Sequence, residues 1–198
     1  MRVIGGKAKG RRLKAPKGRA LRPTGGRVKE ALFDILPHDL TGRRVLDLFA
    51  GTGALSLEAL SRGAPEALLV DFSRAAARAI QENAESLGFS DRSTVWAAPA
   101  LQAIRRLSRK GESFDLIFLD PPYEKDKVGE TLRAVGNAGI LRAGGVVVVE
   151  HSVREPVARQ FGALILTDQR RYGTTVLSFF GARNEPAGVE ENKWGEST

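Results

Sequence analysis

The tetrapeptide Asp120-Pro121-Pro122-Tyr123 carries residue types that could activate an exocyclic amino group of a nucleobase. Such a nitrogen is a poor nucleophile because its lone pair is delocalised into the ring. The Asp120 carboxylate and the Pro121 carbonyl can accept its two hydrogens and turn the lone pair towards an electrophilic methyl group. Tyr123 offers a flat face on which a flipped-out base can stack, a contact worth about 1–3 kcal/mol per base. The tetrapeptide therefore predicts a metal-independent methyl transfer to an amino nitrogen.

The segment Asp47-Leu-Phe49-Ala-Gly51-Thr-Gly53 is predicted to bind the methyl donor. Gly51 and Gly53 let the backbone turn sharply and approach a ligand closely. The dinucleotide fingerprint needs a third glycine where this chain has Ser56, and this disfavours an NAD or FAD site. Asp47 suits a cationic ligand, and S-adenosylmethionine carries a sulfonium and an α-ammonium group but no phosphate. The loop therefore favours S-adenosylmethionine, with Phe49 among its contacts.

The remaining donor contacts are expected after the second and third predicted strands. Asp71 follows Gly53 by 18 residues, and its carboxylate can accept both ribose hydroxyls. Many sites of this kind place an acid or an amide after the third strand, whereas this chain has an Ala-Ala-Pro-Ala run at 97–100. We therefore expect adenine to be bound by backbone groups and by apolar contacts from Phe72 and Ala98.

Positive charge is concentrated at the N-terminus of the chain. Residues 1–29 hold eleven Lys or Arg and no Asp or Glu, out of 31 basic and 23 acidic residues in all. The rest of the chain therefore has 20 basic and 23 acidic side chains, so the formal net charge of +8 comes entirely from this block. Such a block predicts contact with RNA or DNA, the alternative being a disordered arm that only aids solubility. The candidate contacts are Arg2, Lys7, Lys9, Arg11, Arg12, Lys14 and Arg22.

Strands and helices are expected to alternate after residue 43. Buried-strand patterns occur at 45–49, 67–71, 93–97, 114–119 and 146–149, and helical patterns at 54–61, 74–87, 100–109 and 126–137. Strands that alternate with helices predict right-handed crossovers and an α/β fold with a doubly wound, Rossmann-like, mostly parallel sheet.

The C-terminal part of the chain has a different pattern. A short helix is expected near 156–161, followed by two consecutive strands at 163–168 and 174–180. Two strands without an intervening helix predict an antiparallel hairpin at the edge of the sheet.

Three regions follow from these patterns. Residues 1–40 are expected to form a basic N-terminal β-hairpin, with short strand pieces at Val3-Ile4 and Leu13, and a helix from Gly26 to Leu36. Residues 41–183 are expected to form the catalytic domain. Residues 184–198 are expected to be a disordered acidic tail.

The amino-acid composition excludes several classes of protein. The chain has no cysteine, which excludes a disulfide framework and thiolate metal sites. His38 and His151 are its only histidines, so we expect no metal centre. No segment approaches the roughly 20 apolar residues of a membrane span. The expectation is a soluble, cytoplasmic protein, monomeric and without membrane contact.

The motifs together resemble a known family. The segments Asp47–Gly53 and Asp120–Tyr123 are similar to those of class I amino-methyltransferases. The chain resembles the RsmD family specifically, over about residues 2–181, in the segments 2–6, 10–13, 22–24, 27–33 and 172–174. In that family Asp71 corresponds to a position that is often glutamate. Either carboxylate can accept hydrogen bonds from the ribose hydroxyls.

The resemblance implies methylation of the 2-amino group of one guanine in 16S ribosomal RNA, with an assembled or partly assembled small subunit as partner. It also implies that the basic hairpin binds RNA and that the segment from Arg22 to Phe33, including Thr24, closes over the cofactor. Two alternatives stay open at this point. One is a DNA adenine amino-methyltransferase, and the other is an RNA-binding module with a non-productive cofactor site.

Overall fold

A single mixed sheet organises the described residues, 1–15, 25–122 and 127–183, in the computed structural model of the chain. Its strands are β1 (Val45–Asp47), β2 (Ala67–Asp71), β3 (Ser93–Ala97), β4 (Phe114–Leu119), β5 (Leu141–Ser152), β6 (Gln160–Phe161), β7 (Leu164–Tyr172) and β8 (Thr175–Ala182). Their order across the sheet is β3-β2-β1-β4-β5-β8-β7-β6. The predicted acidic tail, 184–198, lies outside the described residues.

The first five strands form the parallel half of the sheet. β1 pairs with β2 and β4, β2 with β3, and β4 with β5, all in parallel. Every residue of β1, β2 and β4 is buried, as expected for strands that are covered on both faces. The predicted doubly wound α/β fold is confirmed, and the order reverses between β1 and β4, where such sheets bind their ligands.

Helices cover the two faces of this sheet with two separate hydrophobic clusters. The helices are α1 (Gly25–Ile35), α2 (Ala54–Ser61), α3 (Arg74–Leu87), α4 (Ala100–Arg109) and α5 (Lys127–Ala138). The first face, packed on α1, α2 and α3, includes Phe118, whose ring centroid lies 6.1 Å from that of Phe33. The second face is packed on α4 and α5. Among the described residues, no helix is long and apolar enough to cross a membrane.

The C-terminal half of the sheet is antiparallel, as predicted, but it is larger than predicted. β8 pairs antiparallel with both β5 and β7, and β6 pairs antiparallel with β7. The short helix expected near 156–161 is wrong. Gln160 and Phe161 instead extend the sheet by pairing with Ile165 and Leu164, and Gly162 supplies the turn with φ +57°. The local helical pattern is weak there, and hydrogen bonds to β7 stabilise an extended conformation instead.

The N-terminal segment, residues 1–15, folds back on itself and docks on the α/β domain. Arg2 and Arg12 form an antiparallel bridge, so the predicted hairpin exists, as a single bridge and not as two regular strands. Val3 and Leu13 are buried in the cluster of the first face. Gly6 approaches the main chain of Ser61 so closely that an added Cβ would lie 1.9 Å from its carbonyl oxygen. The remainder of the predicted arm, 16–24, lies outside the described residues.

Candidate active site at the carboxyl edge of the sheet

Three acidic residues meet at the carboxyl ends of adjacent parallel strands. Asp47 ends β1 and Asp71 ends β2, and Asp120 directly follows β4. In the register, Asp47 lies beside Leu69 of β2 and Phe118 of β4. Because side chains alternate along a strand, Asp71 and Asp120 share a face with these two neighbours. All three acids therefore lie on the first face, at the edge where doubly wound sheets bind ligands.

Asp47 is the most buried of the three acids. Its side chain is 2% exposed, and it accepts hydrogen bonds from the backbone amide of Phe49 at 3.3 Å and the Ser56 hydroxyl at 3.2 Å. Burial raises the pKa of Asp47 to about 7, and the negative charges of Asp120 and Asp71 add to the increase, whereas the two hydrogen bonds oppose it. A cationic ligand group beside Asp47 would offset this cost and favour the ionised form.

Asp71 has a carboxylate that is oriented by two backbone amides. Its Oδ2 accepts from Gly51 N and its Oδ1 from Ser73 N, both at 2.9 Å. The side chain is 4% exposed. A carboxylate has about four lone-pair positions and can accept several hydrogen bonds at once. This arrangement fixes the carboxylate plane and suits binding of a vicinal diol.

The loop between β1 and α2 is held in a tight conformation. Gly51 and Gly53 have φ values of +57° and +77°, a region that side-chain-bearing residues rarely adopt. An added Cβ on Gly53 would lie 3.1 Å from Leu57 and 3.2 Å from Leu69, so the glycine also permits close packing of the loop on the sheet. The α2 helix begins directly after Gly53. The predicted glycine loop is therefore present at the reversal of strand order.

The predicted adenine contacts lie after β2 and β3. Phe72 is 67% exposed, although it is a large apolar side chain at the carboxyl edge. Ala98 is half-buried, and its amide donates to the carbonyl of Asp71 at 2.9 Å, which brings the two loops together. Phe49 is also half-buried. Phe72 and Ala98 thus occupy neighbouring loops, and Phe49 lies on the loop after β1.

The residues predicted to hold the acceptor group follow β4. Asp120 is exposed and Pro121 is buried, so the Asp120 side chain lies at the surface while the backbone that follows it is anchored. Three residues expected in the site, Tyr123, Thr24 and Arg22, lie outside the described residues. Within the described part of the chain, no group of three or more His, Asp or Glu side chains could hold a metal ion.

The basic side chains of the N-terminal hairpin are exposed. This holds for each of the six predicted nucleic-acid contacts that the structure describes, Arg2, Lys7, Lys9, Arg11, Arg12 and Lys14. Some of them also contact the protein: Arg11 donates to the carbonyl of Ser86, and Lys14 lies 3.6 Å from Glu82. The hairpin thus displays positive charge on a surface whose backbone is fixed to the α/β domain.

A buried charge cluster that the sequence analysis missed fixes this backbone. Glu58 of α2 is fully buried, and its carboxylate accepts from the amides of Ile4 at 2.8 Å and Gly5 at 2.7 Å. The same carboxylate binds Lys29 Nζ at 3.1 Å and Arg62 Nε at 3.0 Å. Burial lowers the pKa of Lys29, and Glu58 opposes that change. The available signal was a lone acid in an otherwise uncharged helix.

Asn83 of α3 joins the hairpin to the glycine loop. Its Oδ1 accepts from Lys14 N at 2.8 Å, and its Nδ2 donates to the carbonyls of Lys14 and Thr52, each at 3.0 Å. The side chain is 1% exposed. Asn83 therefore links the N-terminal segment to Thr52, which lies between the two site glycines.

Comparison with solved structures gives the class of protein. A hypothetical protein of Thermus thermophilus has a TM-score of 0.78 and 32% identity, covering 92% of this chain and 99% of that one. SMU.776, solved in complex with SAH, has the same fold, with a TM-score of 0.64 at 17% identity over 79% of this chain and 48% of that one. The fold, with a glycine loop and acids at the reversal of strand order, is that of a class I methyltransferase.

Sequence comparison identifies the family. The model described as "Conserved hypothetical protein 95" matches residues 1–181, so the chain belongs to that family, the RsmD family. Ribosomal RNA small subunit methyltransferase D of Escherichia coli K12 is 36% identical over 153 residues, 77% of this chain and 75% of the relative. YlbH of Bacillus subtilis is 36% identical over 183 residues, 92% of this chain and 100% of the relative.

Proposed function

We propose that this protein transfers a methyl group from S-adenosylmethionine to the exocyclic 2-amino group of a guanine in bacterial small-subunit ribosomal RNA. The observation that carries the proposal is the placement of Asp47, Asp71 and Asp120 on one face at the carboxyl edge of three adjacent strands. The family supports the substrate class, because the Escherichia coli relative is named a ribosomal RNA small subunit methyltransferase.

The residues on the β1 and β2 side fit S-adenosylmethionine. Asp47 is a buried carboxylate whose ionised form needs a positive partner, and the donor carries two cationic groups. Asp71 is oriented by the amides of Gly51 and Ser73, and its carboxylate would accept hydrogen bonds from the two ribose hydroxyls. Phe72 offers an exposed ring beside Ala98 for the adenine. The SAH complex of SMU.776 supports the same ligand class for this fold.

The residues after β4 fit an amino acceptor. The Asp120 carboxylate and the Pro121 carbonyl would each accept one hydrogen of the amino group. This holds the nitrogen with its lone pair directed away from the two acceptors, towards the side where Asp47 and the glycine loop lie. Tyr123 would stack on the flipped base. Positioning of this kind is the main contribution that the protein makes to a displacement reaction.

S-adenosylmethionine supplies a methyl group on a positively charged sulfur, so the acceptor nitrogen needs no strong base before it attacks. As the nitrogen bonds to the methyl carbon, the carbon–sulfur bond would break and its electron pair would stay with sulfur, leaving neutral S-adenosylhomocysteine. The nitrogen would then carry the positive charge until it loses one proton. Asp120 already accepts a hydrogen bond from that nitrogen in the proposed arrangement, so it can pass the proton to water. The exposure of Asp120 allows this transfer.

The test is transfer of labelled methyl from S-adenosylmethionine to three substrates: small ribosomal subunits that lack the modification, naked small-subunit RNA, and duplex DNA. We expect label on subunits, and digestion should release guanine methylated on its 2-amino group. Label only on DNA adenine would keep the chemistry and overturn the substrate. Absence of label on all three, with S-adenosylmethionine bound, would overturn the proposal as a whole.

A further inference from the structure

A fourth acid, Glu150, lies next to Asp120 at the carboxyl edge. β4 and β5 pair in parallel, and the last pair in register is Leu119 with Val149. The next residues along the two chains are Asp120 and Glu150. Neighbouring strands lie about 5 Å apart, so these two positions are adjacent across the edge.

The alternation of β5 places Glu150 on the same face as Asp120. Val148 packs in the cluster of the first face, and Val147 and Val149 pack in that of the second face. Glu150 comes two residues after Val148, so the two side chains lie on the same face of the sheet. Glu150 also pairs with Leu177 of β8, which belongs to the first face. Glu150 is half-buried, unlike its fully buried neighbour Val149. The alternation along β5 and the pairing of β5 with β8 therefore both place Glu150 on the first face.

The strand order puts Glu150 on the acceptor side of the site. Along the edge the acids run from Asp71 on β2, through Asp47 on β1 and Asp120 after β4, to Glu150 on β5. The residues that fit the methyl donor belong to β1 and β2. Glu150 is thus separated from the donor residues by Asp120, the residue proposed to hold the reacting amino group. In the proposed arrangement, a ligand group that reaches Glu150 would therefore belong to the acceptor base.

The edge of guanine that carries the 2-amino group has a second donor next to it. The ring N1 of guanine bears a hydrogen, whereas the ring N1 of adenine is an acceptor. A carboxylate accepts hydrogen bonds and donates none when ionised. Two carboxylates on adjacent strands therefore match two adjacent donors, the 2-amino group and N1–H. The carboxylate that faces N1 would repel a base that has a lone pair at N1.

We propose that Glu150 determines specificity for guanine by accepting the N1–H hydrogen bond while Asp120 holds the 2-amino group. This rests on the proposed function and goes beyond it, because it assigns the choice of base to one residue. Glu150 acts on the acceptor base only. Its loss should therefore change which base is methylated and how fast, and leave binding of S-adenosylmethionine intact.

The test compares guanine with 2-aminopurine at the target nucleotide, once that nucleotide has been mapped in the wild-type product. 2-Aminopurine keeps the 2-amino group but has an unprotonated N1. It would be ligated into small-subunit RNA and assembled into subunits, and kcat/KM would be measured for wild type and Glu150→Gln. We expect the variant to lose roughly tenfold to hundredfold on guanine. The amide N–H can donate to N1 of 2-aminopurine, so the ratio of guanine to 2-aminopurine should fall at least tenfold.

Two controls separate this inference from failure of folding or of the proposed function. Glu130→Gln removes the same charge from an exposed position on α5 and should leave the ratio unchanged. The SAH affinity of Glu150→Gln should match that of the wild type, and the variant should still unfold in a single cooperative transition. An unchanged ratio in a folded Glu150→Gln variant would overturn the role of Glu150, even if the wild type methylates guanine as proposed.

Discussion

The carboxylate of Glu58 accepts a 2.7 Å hydrogen bond from the backbone amide of Gly5, although 53 residues separate them in the sequence. Glu58 is also bound by Lys29 and Arg62, which are themselves almost completely buried. A buried anion thus joins the N-terminal hairpin, α1 and α2. The hairpin is part of the folded domain up to at least Lys14, and its basic side chains project from a fixed backbone.

Glu58→Ala should destabilise the protein strongly. The substitution leaves Lys29 and Arg62 buried without their shared anion and removes the acceptor for two amides, so the free energy of unfolding should fall by roughly 3–5 kcal/mol. Urea denaturation followed by circular dichroism measures this change. The control is Glu66→Ala, which removes a half-exposed ion pair with Arg44 and should cost at most about 1 kcal/mol. Equal losses in the two variants would contradict the role given to the buried cluster.

Asp120→Ala should separate turnover from cofactor binding. In the proposed site this carboxylate contacts the acceptor base and not the donor, so methyl transfer to small subunits should fall at least roughly hundredfold. SAH affinity, measured by calorimetry, should change by less than about twofold, which corresponds to about 0.4 kcal/mol. A matched loss of affinity and turnover would instead place Asp120 in the donor site.

Asp71→Ala should have the opposite profile. Loss of the carboxylate removes the proposed acceptor for the ribose hydroxyls and frees the amides of Gly51 and Ser73. We expect SAH to bind roughly tenfold to hundredfold more weakly, because a hydrogen-bonded charged group typically contributes about 1.5–3 kcal/mol. Calorimetry on both aspartate variants, side by side, checks the assignment. Normal SAH binding by Asp71→Ala would remove this residue from the donor site.

The ligand-free protein should lose stability as the pH rises towards and through 7. Burial raises the pKa of Asp47 from its ordinary value of 3.8 to about 7, so the folded state holds a proton that the unfolded state has released. Its contribution is therefore fully present below pH 3.8 and is lost as the pH rises to about 7. Melting temperatures of wild type and Asp47→Asn, measured from about pH 5.5 to 8 in identical buffers, check this. The wild type should decline relative to the variant, and parallel curves would contradict the shift.

The same ionisation should link cofactor binding to pH. A cationic donor stabilises the charged form of Asp47, so S-adenosylmethionine should bind more tightly at about pH 8 than at about pH 6 and should release protons on binding at the lower pH. Calorimetry in two buffers of different ionisation enthalpy counts those protons. Asp47→Asn should abolish the proton release. Proton release that persists in this variant would assign the effect to another group.

The hairpin should contribute to the salt dependence of RNA binding. Lys9→Ala with Arg12→Ala removes two exposed positive charges, so the slope of log affinity against log salt should become shallower by about 1.4–1.8. Binding to small-subunit RNA would be measured at salt concentrations from about 50 to about 200 mM, where the affinity of such proteins falls steeply. The control, Arg109→Ala with Lys110→Ala, changes exposed residues at the end of α4, on the second face. A slope unchanged by the hairpin variant would remove Lys9 and Arg12 from the RNA site.

The parallel half of the fold could be predicted nearly to the residue. α2, β2, α3, β3, α4 and β4 have the bounds expected from the sequence. Each strand among these is a short apolar run or lies next to one, and each helix is bounded by Gly, Pro or a capping residue. Ser73, for example, accepts a hydrogen bond from Ala76 N at the start of α3, and Gly88 ends that helix with φ +72°. Such signals are local, so a sequence displays them directly.

Features fixed by distant contacts could not be predicted in the same way. β5 was expected only at 146–149, where both faces are covered, but pairing with β8 continues it to Ser152. Glu150 lies in this extension, and the register of β4 with β5 places it beside Asp120. The position of the three aspartates followed from strand order, whereas the binding of Glu58 to Gly5 depends on how a separate segment packs. Tyr123, Thr24 and Arg22 stay predictions.

Asn83 imposes a constraint on any attempt to redesign this protein. Its single amide uses both kinds of polar atom, binding the backbone of Lys14 on one side and the carbonyl of Thr52 on the other. Neither backbone can be moved independently without leaving a buried polar atom unsatisfied. Hairpins exchanged between relatives to alter RNA preference should therefore be cut after Lys14 and transplanted together with α3, because a graft that ends at the hairpin would disturb the loop between Gly51 and Gly53.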